Sequence, residues 1–170
     1  GGAGGVDPGG AQIHIHFRAN TQPFSHADGL SGQTPLSHVS GLKKFELLTD
    51  DSDPEPLLVF DYGQEFVEVS YDDGADTVAY SLPAHALPIE TYTVARVVHS
   101  HVRYRIEATM HNLGLPLPGE FDNLQVLSDD TLIDGELRQA GYYEYEFSTA
   151  GQTFPTSGEN APVPEWSETG

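Results

Sequence analysis

Eight histidines occur in this chain of 170 residues, and four of them fall in two His-x-His pairs, His14/His16 and His99/His101. Both pairs sit among alternating apolar residues: Ile13, Ile15 and Phe17 around the first, and Val98, Val102, Tyr104 and Ile106 around the second. Successive side chains of a strand point to opposite faces, so residues i and i+2 share one face, roughly 7 Å apart. Imidazoles at that spacing suit zinc, copper or nickel. The parity places each pair on the polar face of its strand. If the two strands are neighbours in one sheet, four imidazoles converge, and His111 or Glu107, on the parity of His99 in a regular strand, completes the set. The competing reading leaves these histidines solvated or hydrogen-bonded on the outer face of a sheet.

Other chemistry is less well provided for. Val94 to Ile106 holds Arg96, Arg103 and Arg105 with two histidines and no acid. Arg103 and Arg105 share the parity of His101, and they are the candidate anion-binding residues, for a carboxylate or an acidic glycan. The alternative is cross-strand pairing of these arginines with Glu144, Glu146 or Glu68. Aspartates cluster at 50–53, 72–76 and 129–134 without the EF-hand spacing; turn preference explains them more simply than calcium does. No G-x-S-x-G, P-loop, dinucleotide fingerprint or H-E-x-x-H occurs. No catalytic residue is assigned. Tyr142, Tyr143 and Tyr145 form the densest aromatic group, which reads as core packing before carbohydrate platform.

The elements that must position these residues are strands. Between the ends the pattern has period two, punctuated by Gly, Pro and Asp, with almost no helical signal. Short strands are expected at 11–19, 57–62, 64–71, 77–82 and 142–149, with more around 123–139. The stretch from Glu90 to Asn112 exceeds the usual strand length and predicts a bulge, bend or turn within it. Residues 24–41 read as a long loop, 41–48 as a strand or short helix, and 114–123 as a loop. The expected fold is an all-β antiparallel sandwich of about seven to nine strands, each burying one face. Residues 1–10 read as a Gly-rich tether, 11–149 as the domain, and 150–170 as a Pro- and Gly-containing linker, so that the chain resembles an excised or processed module with flexible ends.

Composition narrows the setting. Acidic side chains number 26 against 7 basic ones, for a formal charge of −19. Such a surface repels phosphate backbones, which argues against nucleic acid as a partner. There is no cysteine, which removes disulfides, thiolate metal sites and cysteine nucleophiles. No apolar run reaches the ~20 residues of a membrane-spanning helix.

Leu87, Pro88, Tyr92, Thr93, Arg96 and Val97 resemble the Leu-Pro-x-Gly-x-Tyr-Thr-x-x-Arg-Val strand of bacterial secreted or surface lipoprotein domains, with Glu90 standing where Gly is usual. That resemblance implies an immunoglobulin-like or transthyretin-like (prealbumin-like) sandwich and an extracellular, cell-surface or periplasmic location. In a lipoprotein, a lipid anchor would lie upstream of the tether. It carries no catalytic residue. The expected function is a non-catalytic surface module for recognition of a ligand, glycan or protein partner, or for structural spacing. The alternatives are a zinc- or copper-binding protein using the two histidine pairs, and a self-assembling surface subunit.

One consequence of the charge is testable without a structure. Repulsion among the carboxylates opposes the compact state, and salt screens it. The melting temperature is expected to rise between about 0.05 M and about 1 M NaCl. A flat or falling value in a thermal scan would show the charges already neutralised.

Overall fold

The computed structural model describes residues 10–20 and 34–163. Most of the tether at 1–10, much of the loop expected at 24–41, and Trp166 lie outside the described residues. Those described form eleven strands and one short 3-10 turn at Ala84–Ala86. The strands are β1 (Gln12–Arg18), β2 (Ser37–Leu48), β3 (Leu57–Asp61), β4 (Val67–Ser70), β5 (Asp76–Pro83), β6 (Val94–Asn112), β7 (Leu115–Val126), β8 (Thr131–Ile133), β9 (Glu136–Arg138), β10 (Tyr143–Thr149) and β11 (Gln152–Gly158). All pairings are antiparallel.

Seven strands make one sheet in the order β11-β10-β7-β6-β2-β3, with β4 also on β2. Sheet β1-β5 packs across its β2-β3-β4 end, and the fold is a β-sandwich. The core between them holds Leu42, Val59, Phe60, Val69, Ala79 and Leu82, with Ile13, Ile15 and Phe17 of β1 packed against it. Alternation in β1 decides this: the three apolar residues are half-buried, and His14 and His16 are exposed. The Asp72–Ala75 turn carries the chain from β4 in the large sheet to β5 in the small one. The β8-β9 hairpin stands apart from both sheets, and its Ile133 packs with Leu124 and Val126 of β7, joined by Phe66 and Tyr142.

Three stretches depart from the expectations. Residues 37–41 begin β2 rather than ending a loop. Residues 115–122 are β7, not a loop, although they contain two prolines. Pro116 and Pro118 stand opposite His111 and Thr109; an imide has no N–H to give, and at these places none is needed by β6. Residues 152–158 are β11, not linker: β10 turns directly into it through Ala150 (φ 50°) and Gly151 (φ 76°), the two positive dihedrals of a type I′ hairpin. The same geometry recurs at Leu113–Gly114 and Asp134–Gly135.

The bulge expected in the long strand lies at Ser100–His101. Ser40 pairs with Val102 and Leu42 with His99, so two residues of β6 oppose Gly41 alone. Both bulge side chains lie over Gly41: a β-carbon there would stand 2.1 Å from Ser100 Oγ and 2.8 Å from His101 Nδ1. Gly41→Ala must displace a buried ring, and it is expected to destabilise the fold by about 1–3 kcal/mol as overpacking does. Chemical denaturation measures this; an unchanged midpoint would show that the bulge relaxes freely.

Candidate functional site

The bulge divides the second histidine pair. His99 turns to the face covered by β1-β5, where its Nδ1 lies 2.6 Å from Ser40 Oγ. Ser40 has one proton and donates it to the His101 carbonyl at 3.0 Å. It therefore accepts from His99, which fixes the Nδ1–H tautomer. Ser40 is wholly buried. A serine and histidine at this distance have the separation of a nucleophile and its base, but here the ring is the donor and no substrate reaches the hydroxyl. Nearby His38 stacks on Tyr71 with ring centroids 4.3 Å apart. Burial holds His38 and His99 below the ordinary imidazole range, and His38 lowers His99 further.

His101 turns to the opposite face. It is 3% exposed, meets Phe66 edge-on at 4.6 Å, and its Nδ1 lies 3.0 Å from Ser100 Oγ. Burial first, then the neighbouring Arg103, pushes its pKa down to about 4. It is not on a solvated face, as its parity had implied.

The four-histidine site does not assemble. His14 and His16 belong to sheet β1-β5, whereas His99 and His101 belong to the large sheet and point to different faces. His14 Nδ1 lies 2.7 Å from Ser81 Oγ, and His16 Nδ1 lies 2.6 Å from Asp76 Oδ1. Asp76 also accepts from Arg18 Nε at 2.9 Å; the His16 contact first, and then Arg18, lower its pKa. His111 is exposed near the far end of β6. Among the described residues, no three His, Asp or Glu side chains converge as a metal site. The aspartate clusters work within the chain: Asp53 accepts from the Thr49 and Glu55 N–H groups, and Asp129 from that of Ala140.

The arginines lie on the same face as His101. Two cross-strand rows run over β6, β7, β10 and β11: Arg103, Leu124, Glu144 and Ser157, then Arg105, Asp122, Glu146 and Pro155. All of these except Arg105 line an open groove of about 550 Å³. Asp122 is occupied by Arg105, whose Nε and Nη2 donate to it at 3.1 and 3.0 Å. Glu144 accepts from Tyr142 Oη at 2.5 Å. The partners expected for Arg105 at Glu144, Glu146 or Glu68 are thus replaced by Asp122, directly across β7.

Of the seven basic side chains, Arg18, Lys44, Arg96, Arg105 and Arg138 each hold a carboxylate. Lys43 holds the carbonyls of Asp129 and Asp130. Arg103 pairs with no acid among the described residues. The sequence pointed to Arg103 and Arg105 and to Glu144 and Glu146 but not to the β11 side of the groove, because residues 152–158 had no strand pattern to bring Pro155 and Ser157 beside β10.

No family model, curated protein or solved structure matches this chain. No helix among the described residues is long and apolar enough to cross a membrane.

The buried histidines set an acid dependence. His101 is neutral in the fold down to about pH 4, whereas an unfolded histidine takes its proton near pH 6.5. The unfolded chain therefore binds more protons between these values. The contribution is complete above about 6.5, is lost as the pH falls towards 4, and amounts to about 3 kcal/mol. His38 and His99 act in the same direction. Denaturation of the native chain and of His101→Phe should show the difference in stability shifting against the native chain between about pH 7.5 and 4.5. A constant difference would mean that His101 is charged, or not perturbed, in the fold.

Proposed function

We propose that this chain is a non-catalytic recognition module of the cell surface or extracellular space, and that its groove binds a neutral polyhydroxylated ligand, a glycan. The observation that carries this reading is Arg103, the basic side chain without an acidic partner among the described residues, at the edge of a groove that also presents Glu146. A guanidinium donates and carboxylates accept, so vicinal hydroxyls can satisfy both at once. A volume of about 550 Å³ lies within the ~300–1,000 Å³ range of small-ligand sites.

The charge of the lining argues for a neutral ligand over the acidic one suggested by the arginines alone. Asp122, Glu144 and Glu146 outnumber Arg103 in the groove, and Arg105 is already committed to Asp122. An added anion would meet that field and the −19 of the chain. A spacer would need no such groove. The residues that resemble surface lipoprotein domains support the location and have structural work here. Leu87 packs on the core, Thr93 Oγ1 donates to the Thr49 carbonyl, and Arg96 pairs with Glu46.

Cellobiose, maltose, lactose and galacturonate, titrated separately and followed by amide chemical shifts, test the proposal. At least one neutral disaccharide is expected to bind with Kd of about 0.1–10 mM. It should perturb residues of β6, β7 and β10 around Arg103, and weaken at least about fivefold in Arg103→Ala and in Glu146→Ala. Tighter binding of galacturonate would restore the acidic-glycan reading and overturn this one. Silence of the groove at about 50 mM of every neutral sugar would also overturn it.

A further inference from the structure

The central hairpin outruns its neighbours. β2 pairs with β6 only as far as Ser37 opposite Arg105, with Leu36 N–H donating to the Arg105 carbonyl at 2.7 Å. Pro35, which has no N–H, comes next. On the other side β10 pairs with β7 only as far as Ser148 opposite Glu120, after which Thr149 Oγ1 donates to the Pro118 carbonyl. Among the described residues, 108–119 therefore extend as a two-stranded arm. The arm has no Asp, Glu, Lys or Arg, in a chain of net charge −19. It exposes Leu113 (98%), Leu115 (66%) and Met110 (43%).

Its two edges differ. Thr109 faces Pro118 and His111 faces Pro116. A proline can stand only where β6 asks for no donor, so the N–H and C=O of Thr109 and His111 point away from β7. Arg105 has the same parity, and its carbonyl indeed points outward to Leu36. The prolines likewise remove donors from the outer edge of β7, a usual protection against pairing. The β6 edge carries no proline, and among the described residues no strand covers Thr109 to His111.

We propose that this edge pairs with a second copy of the chain. β6 would lie antiparallel to the β6 of the second copy about a two-fold axis at Met110. Thr109 would then exchange both backbone bonds with the partner's His111, and His111 with the partner's Thr109. Charge selects this occupant. Two bodies this acidic approach with least repulsion through an uncharged element that holds them apart. A lipid surface fits less well, because the open N–H and C=O groups would be unsatisfied in hydrocarbon and residues 108–119 carry no Trp, Tyr, Lys or Arg to anchor them at an interface.

Sedimentation velocity of the full chain at about 5–200 µM, in about 0.1 M and about 1 M NaCl, tests the proposal. A monomer–dimer equilibrium is expected, with the dimer favoured by salt. Thr109→Pro removes an outward N–H and leaves the pairing with β7 intact; Met110→Asp puts like charges across the axis. Each is expected to weaken the dimer at least about tenfold while the circular dichroism stays unchanged. A monomer at every concentration and salt would overturn the proposal, as would a dimer indifferent to both variants. So would a monomer that co-sediments with phosphatidylcholine vesicles and loses them on Leu113→Ser, which would assign the arm to lipid.

Discussion

One extra residue in the longest strand organises both faces of the large sheet. Without the bulge at Ser100–His101, His99 and His101 would point the same way and one face would carry the imidazole pair. With it, His99 is turned onto Ser40, and His101 is set over Gly41 on the opposite face. Each ring then has a hydroxyl partner, Ser40 for one and Ser100 for the other. Buried imidazoles need such partners, since an unpaired polar group in the interior costs about 1–3 kcal/mol. The glycine is thus not incidental to β2: it is the space that the bulge side chains occupy.

Electrostatics in so acidic a chain is a problem of allocation. Glu46, buried at 9% exposure, is held between Lys44 and Arg96; leaving it alone would strand a charge in the interior. Arg105 is placed across from Asp122 by register, and Arg18 across from Asp76. These pairs are largely at the surface, where each is worth ~0–1 kcal/mol, so their role in stability is small. Because nearly every base is committed, Arg103, which pairs with no acid among the described residues, stands out against the lining of the groove.

The sequence made the β architecture legible and left the pairings of its histidines obscure. Alternation in residues 12–18 was strong enough to orient Ile13, Ile15 and Phe17 inward and His14 and His16 outward. The length of the stretch ending at Asn112 implied an irregularity without locating it. Its place depends on Gly41, which lies some 60 residues away in sequence and opposite the bulge only in the folded sheet. Residues 115–122 and 152–158 were hidden by proline, which local rules read as a breaker. Register decides otherwise: Pro116 and Pro118 take positions where β6 requires no N–H, and Pro155 sits in β11 at the edge of the sheet. The groove was obscured for the same reason, since two of its lining positions, Pro155 and Ser157, belong to the strand that the pattern concealed.

The buried histidine and the groove also share a structural element. Leu124 is buried with Val126 and Ile133, and it lines the groove beside Arg103. On the adjoining strand Arg103 lies two residues from His101 and disfavours its protonation. Packing of the β8-β9 hairpin against Val126 therefore does two things at once. It supports Leu124 in the floor of the groove, and it holds the cluster joined by Phe66, the ring that His101 meets edge-on. The groove is thereby anchored on a close-packed layer rather than on loops, and its polar side chains are placed by strand register.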